Sequence, residues 1–398
     1  MTQVHMPSAL QCQSMIKYPT RHLPASFFAR SRAPPQSQAE IIRQAFTTWL
    51  ATKPTLLPQQ DELQAGLPRT FVIYSSLLLF PPGSFTSPIW LPLLLDSSAL
   101  ETFTSTLCTA TKSTHVALNA PIPLLSAPGE DNLLRSPTNL VPLRGDFGPS
   151  LPPSTTHTPT QSDLDQAYWA SARQNELTQI WAPRYTMFSA RNVREKTRLM
   201  QLASVREAQP CSAVDLFVGV GYFAFSYLAA GVRTVLGWDI NPWSIEGCQR
   251  GALANRFFFR VGGGAGEGVV GGAVPRLRVW CEDNALAKGR VEALRGHIPP
   301  VRHVNAGLLP SSRACWATAV GVLDKTLIGW VHVHENFRVE EIETKADEVR
   351  RDMQAIVDKS GEWPSGTSVT VDYVFRVKSY APGVVHCVLD MRFSPGST

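Results

Sequence analysis

The run Ala213-Val214-Asp215-Leu216-Phe217-Val218 leads straight into Gly219-Val220-Gly221, and few folds accommodate that order. An apolar run without alternation reads as a strand buried on both faces, which is what a parallel sheet requires. Glycines immediately after it let the backbone turn tightly and approach a ligand without a Cβ in the way. A helix is expected over Tyr222–Ala230, stopped at Gly231. The pattern then repeats. Thr234–Asp239 reads as a strand and Pro242–Asn255 as a helix with proline in its first turn, where proline is tolerated. Further strands are expected at Arg276–Cys281, His303–Asn305 and Gly329–His334, and further helices at Arg313–Leu323 and Glu340–Asp358. Ser368–Lys378 and Val384–Phe393 flank the short turn Ala381-Pro382-Gly383 and so predict an antiparallel hairpin.

Alternating β and α units specify an α/β fold, a mainly parallel doubly wound sheet with helices on both faces. With a C-terminal antiparallel hairpin, this is the layout of a Rossmann-like class I methyltransferase domain, expected over residues 165–398. Before residue 165 the chain changes character. Proline pairs recur at Pro34-Pro35, Pro81-Pro82 and Pro152-Pro153, and the apolar runs Thr70–Phe80, Ile89–Leu95 and His115–Leu118 are short. They predict short strands in an irregular N-terminal α+β region over 41–164, with a proline-rich linker at 144–162. Residues 1–40 are expected to be disordered or loosely packed, and the glycine-rich stretch 261–272 to be a flexible insertion.

At 398 residues and 44% hydrophobic content, the chain can support two domains and a large core. A net charge of +5 permits a polyanionic partner without requiring one. The seven cysteines show no CxxC spacing, so no zinc site or disulfide framework is expected, and a reducing compartment is. Apolar runs are short, and Pro81-Pro82 breaks Leu77–Phe80, so no membrane span or signal segment is expected.

The glycine turn bounds the ligand. Asp215 lies at the end of the first strand, and Asp239 ends the second about 20 residues after the glycines, where a carboxylate can accept hydrogen bonds from ribose hydroxyls. Glu282-Asp283-Asn284 ends the third strand, in position to meet an adenine. The third glycine of the dinucleotide fingerprint is absent, since Tyr222-Phe223 follow the turn, and no Gly-Lys-Ser/Thr occurs. A nucleoside cofactor without a pyrophosphate fits this pattern. Asn305–Ser312, after the fourth strand, carries no acid or base and lacks the Asn/Asp-Pro-Pro-aromatic that grips a planar base in many ring-nitrogen methyltransferases. Asn305 reads equally as a strand-end cap and as a substrate contact. His332 and His334 alternate with valines on one strand face; structural hydrogen bonding fits better than a metal pair, because no third ligand accompanies them.

Four blocks together resemble a known family. They are Trp181-Ala182-Pro183-Arg184-Tyr185-Thr186-Met187-Phe188-Ser189 with Asn192 and Glu195-Lys196; the glycine motif Asp215–Phe223; Asn305-Ala306-Gly307-Leu308-Leu309-Pro310-Ser311-Ser312; and His332-Val333-His334-Glu335-Asn336. They resemble the tRNA wybutosine-synthesizing protein 2 family, and more loosely the related tRNA guanine-N1 methyltransferases. Departures are Val218 and Val220 for the usual Ala and Ile, Ala306 for Leu, and Asn175-Glu176-Leu177 where Asn-Gly-Ile is usual.

The resemblance implies transfer of the 3-amino-3-carboxypropyl group of S-adenosylmethionine to 4-demethylwyosine in tRNA(Phe), by a cytoplasmic, monomeric enzyme without a metal. It implies that Ser189, Lys196, Asp215, Gly219, Gly221, Asp239, Asp283 and Asn284 line the cofactor site, and that Asn305, Pro310 and Ser311 belong to the substrate loop. The catalytic group itself is not identified. tRNA is expected to meet Arg184, Arg191 and Arg194, supported by Lys196, Arg198 and Arg206, with Trp181, Tyr185 and Phe188 available to stack on a base. A tRNA (guanine-N1) methyltransferase and a non-catalytic RNA-binding protein of degenerate fold stand as alternatives.

Overall fold

The computed structural model describes residues 37–120, 125–127, 130–132, 134–137, 139–262 and 275–396. Pro34-Pro35, Cys12 and most of the glycine-rich insertion lie outside the described residues. The chain forms two compact units, residues 37–189 with Asn241–Asn255, and Ala190–Ile240 with residues 256–396.

In the first unit, helix Gln38–Leu50 begins at Ser37, whose side chain caps the Glu40 amide. Residues 38–40, expected to be loose, are therefore helical. A four-stranded sheet runs in the order Val72–Tyr74, Leu77–Phe80, His115–Leu118, Val141–Arg144. Its core is aromatic, with Trp49, Trp90, Phe80, Phe85 and Phe103 packed ring to ring. Ile89–Leu95, expected as a strand, is instead helical over Trp90–Leu95. The run lacks period-two alternation, and Trp90 buries itself by donating its indole N–H to the Leu63 carbonyl at 2.8 Å. Within 144–162, expected to be a proline-rich linker, Pro153–Thr156 is helical, and Thr160 and Asp163 form a capping box for helix Gln161–Gln166.

Helix Pro242–Ala254 belongs to this unit because its cap is tied into it. Asn241 accepts from the Trp243 amide and donates to the carbonyls of Leu134 and Tyr185, while Trp243 stacks on Tyr185 at 3.7 Å.

The hairpin Ala170–Gln174/Leu177–Trp181 turns through Asn175 and Glu176, with φ of 52° and 65°. Both central residues are left-handed, as a type I′ turn requires, and glutamate is poorly suited to that region. Glu176→Gly is expected to raise stability by about 1 kcal/mol. Thermal unfolding checks this, and an unchanged or lower midpoint contradicts the assignment of strain.

The second unit contains strands β1 (Ser212–Asp215), β2 (Thr234–Trp238), β3 (Phe259–Val261), β4 (Leu277–Trp280), β5 (Val301–Ala306), β6 (Gly329–Arg338), β7 (Ser368–Ala381) and β8 (Val384–Ser394). Its helices include α1 (Val193–Gln201), α2 (Ala224–Ala229), α3 (Ala287–Ala293), α4 (Trp316–Val322) and α5 (Ile342–Ser360). The sheet order is β3-β4-β2-β1-β5-β6-β8-β7. Strands β3 to β6 are mutually parallel, and β8 and β7 close the sheet antiparallel. The chain leaves β1 in one direction and returns beside it with β5, so β1 marks the topological switch point where such sheets bind ligands. Edge strand β3 was not expected; its last residue, Val261, is the first of the stretch 261–272 read as a flexible insertion.

The two faces of this sheet differ. One carries Val214, Val304, Val331, Val333, Leu389 and Met391, which form one apolar core with α3, α4 and α5. Helix α5 supplies Ile342, Ala346, Val349, Met353 and Val357 at helical spacing. The other face is polar. Asn305 pairs in register with Asp215 and with His332, and His332 with Asp390, so all four side chains share it.

Candidate cofactor and transfer site

The turn after β1 needs both its glycines. Gly219 has φ of +52° and Gly221 of +85°. A Cβ on Gly221 would lie 2.4 Å from the ring of Phe225, and one on Gly219 would lie 2.8 Å from that of Tyr222. The Gly219 amide donates to Asp239 Oδ2 at 2.9 Å, which brings the second-strand carboxylate against the turn. Asp239 is half-buried and keeps a solvent-facing side.

Asp215 is fully buried and accepts from Asn305 Nδ2 at 3.0 Å and from the Phe217 amide at 3.3 Å. Burial pushes its carboxyl up to about 7, and the Asn305 bond only partly opposes this. Asp215 therefore shapes the turn from beneath. Asn305, read as either a cap or a substrate contact, uses its N–H on Asp215.

At the end of β4, Glu282 is half-buried and engaged by Arg290 at 2.9 Å and by the Trp238 indole. Asp283 is exposed and caps the Ala285 amide, while Asn284 donates to the Leu216 carbonyl at 3.1 Å. Two apolar residues that the sequence reading passed over stand here. Ile240 is 42% exposed and Leu286 is 54% exposed, just after the β2 and β4 acids. Glycines whose Cβ would clash, a carboxylate on the turn amide and exposed aliphatic side chains beside polar ones suit a nucleoside.

The loop after β5 is latched to β6. Glu335 Oε1 accepts from Ser311 Oγ at 2.9 Å and from the Ser312 amide at 2.8 Å, and the Asn336 amide donates to the Pro310 carbonyl. Burial raises the Glu335 carboxyl despite these bonds. Glu335 was legible only as part of a strand motif, not as the anchor of this loop.

Helix α1 carries Lys196, 2% exposed, with Nζ 5.3 Å from the Tyr222 ring centroid. Burial, with repulsion from Lys378, brings its ammonium down to about 7. Arg198, expected to face tRNA, is instead buried. It donates two 2.7 Å bonds to Glu195 and bonds of 2.5 and 3.0 Å to Asp390. Asp390 also accepts from His332 Nδ1 at 2.7 Å, and His332 Nε2 meets His303 Nδ1 at 3.2 Å. His303 Nε2 lies 3.1 Å from the Ser204 carbonyl. Neither His332 nor His334 joins a metal-type cluster; among the described residues no group of His, Cys, Asp and Glu could hold an ion.

Arg191 and Arg194 are exposed, and Arg194 donates to the Val377 carbonyl at 3.2 Å. The remaining sequence candidates belong to the first unit. Ser189 is half-buried at its end, and Arg184 lies over the Phe147 ring at 5.8 Å. The aromatics expected to stack on a base are engaged within that unit. Tyr185 stacks on Trp243, and Trp181 stacks on Phe188 at 4.3 Å. Among the described residues no helix is long and apolar enough to cross a membrane.

No family model matches the chain. The tRNA wybutosine-synthesizing protein 2 of Schizosaccharomyces pombe is 36% identical over 338 residues, covering 83% of this chain and 74% of that protein. The protein of the same name from Saccharomyces cerevisiae is 31% identical over 369 residues, covering 82% and 74%. Among solved structures, Pyrococcus horikoshii TYW2 in complex with MeSAdo aligns with a TM-score of 0.54 at 17% identity, covering 84% of this chain and 94% of that one. That likeness concerns the fold.

Proposed function

The chain belongs to the tRNA wybutosine-synthesizing protein 2 family, and on that premise we propose that it transfers the 3-amino-3-carboxypropyl group of S-adenosylmethionine to 4-demethylwyosine in tRNA(Phe). The observation that carries this reading is the Asp239–Gly219 contact at the switch point of a methyltransferase-type sheet, beside a substrate loop without a base-gripping Pro-Pro-aromatic.

S-adenosylmethionine supplies an electrophilic Cγ on a sulfonium; breaking S–Cγ leaves neutral methylthioadenosine, while the acceptor forms the new bond and gives up a proton. No strong acid is needed at the leaving group, since sulfur loses its positive charge. The protein's contribution is selection among three carbons, which is a matter of orientation. Gly219 and Gly221 admit the nucleoside closely, Asp239 accepts from the ribose, and Asp283 and Asn284 flank the adenine. Lys196, buried on α1 near Tyr222, stands beside the methionine end of the cofactor. Asp215 positions the turn, and Asn305, Pro310 and Ser311 frame the acceptor. Arg184, Arg191 and Arg194 contact the tRNA backbone. The enzyme acts as a cytoplasmic monomer.

Asp239→Ala is expected to weaken S-adenosylmethionine binding by about 1.5–3 kcal/mol, the scale of hydrogen bonds to a charged group. This is tenfold or more in dissociation constant by titration calorimetry. An unchanged constant removes Asp239 from the site. The function itself is tested by mass spectrometry of tRNA(Phe) from cells lacking the gene. Loss of the aminocarboxypropyl adduct with its precursor accumulating is expected; an intact adduct contradicts the reading.

A further inference from the structure

The polar face of β5, β6 and β8 holds a set of buried atoms that the site described above does not use. His334 and His386, 1% and 0% exposed, meet through Nδ1 and Nε2 at 3.0 Å. Their outer nitrogens, His334 Nε2 and His386 Nδ1, are buried and have no hydrogen-bond partner among the described residues. The same holds for both amide atoms of Asn336 and for Asn305 Oδ1. Buried polar groups in folded proteins are almost always paired, and a cluster of exceptions calls for a ligand or ordered water.

The cluster sits at the ligand end of the sheet. Strand β5 ends at Ala306, in register with Val333, so His334 and Asn336 lie just past it, at the crevice side. The ring of Phe223, directly after the glycine turn, lies 5.1 Å from that of His334. A Cβ on Gly307 would reach Phe223 at 3.7 Å and Asn305 Nδ2 at 2.8 Å. Asn336 and Lys378 each pair in register with His386, so Lys378 shares the face.

The chemistry on offer is dipolar. Burial holds the His334 ring well below its ordinary range and the His386 ring down to about 3, so both are neutral. Two neutral imidazoles sharing one hydrogen bond always present one N–H and one lone pair at their outer nitrogens. Asn336 adds a donor and an acceptor, Asn305 an acceptor, and Lys378 a positive charge.

We propose that His334, His386, Asn336 and Asn305, with Lys378, form the subsite for the zwitterionic amino-acid end of S-adenosylmethionine. The carboxylate takes the N–H donors and the ammonium takes the lone pairs. This rests on the functional reading above and names the residues that would hold the transferred group.

Asn336→Leu keeps the side chain's shape and removes both amide atoms. A purely structural amide without partners would be replaced at no loss of stability. Calorimetry with two ligands separates the cases, because methylthioadenosine lacks the amino-acid end. S-adenosylmethionine affinity is expected to fall at least tenfold, with methylthioadenosine affinity unchanged. Equal loss for both ligands, or no loss for either, overturns the subsite while leaving the functional reading in place. Wild-type protein that binds neither ligand overturns both. His334→Leu repeats the test should the first variant fail to fold.

Discussion

Arg198→Met is expected to cost about 3–5 kcal/mol of stability, the range for removing one partner of a buried ion pair. Arg198 is 8% exposed and lies between Glu195 and Asp390, both buried, so the variant leaves two carboxylates without their cation. His332 joins Asp390 through Nδ1, and His303 continues the chain from His332 Nε2 to the Ser204 carbonyl.

The pH dependence follows. Burial would raise the Asp390 carboxyl, but Arg198 and His332 outweigh it and hold it well below the carboxylate range. A depressed acid contributes stability that is present above its unfolded value of about 3.9 and is lost as pH falls toward the folded one. Without Arg198 the Asp390 carboxyl is raised instead and that of Glu195, already raised by burial, rises further, so protonating them relieves the penalty. The deficit of the variant is therefore largest near neutrality and shrinks on acidification toward pH 4. Thermal unfolding of both proteins across that interval checks this. A deficit below 1 kcal/mol, or one that grows in acid, contradicts the network.

Gly221→Ala is expected to be the most damaging single methyl in the cofactor domain. The left-handed backbone at φ of +85° costs an alanine about 1–3 kcal/mol. Its methyl would press on the Phe225 ring, itself fully buried, and overpacking of this kind adds about 1–3 kcal/mol. Any relief must move the turn, so S-adenosylmethionine binding should be lost together with stability. Gly289 is the control. It lies within α3 with nothing inside 4 Å of an added Cβ, and Gly289→Ala should be neutral or stabilising by up to about 1 kcal/mol. Comparing melting midpoints and calorimetric affinities decides; a Gly221→Ala protein that binds the cofactor normally would remove the turn from the site.

What could be read from the sequence was what local patterning carries. The apolar run Ala213–Val218 and the strand ending in Asp239 were legible as the first two strands, although β1 stops at Asp215 instead of continuing to Val218. The hairpin of β7 and β8 was visible from its turn. What escaped depends on distant partners. Glu195 and Arg198, three apart on a helix, look like a solvent-exposed ion pair; only the approach of Asp390, 192 residues away, turns them into a buried cluster. The Tyr185–Trp243 stack likewise withdraws an aromatic residue that local context offered to RNA. Ile89–Leu95 failed as a strand because an apolar run of that length has no period to separate the two possibilities, and the Trp90 bond to Leu63 decided it.

Which carbon of the sulfonium is attacked separates aminocarboxypropyl transfer from methylation. Purified protein incubated with S-adenosylmethionine and tRNA(Phe) bearing the wybutosine precursor should release methylthioadenosine in step with modified tRNA, resolved by chromatography of the small-molecule products. S-adenosylhomocysteine as the sole product would contradict the account and make the protein a methyltransferase.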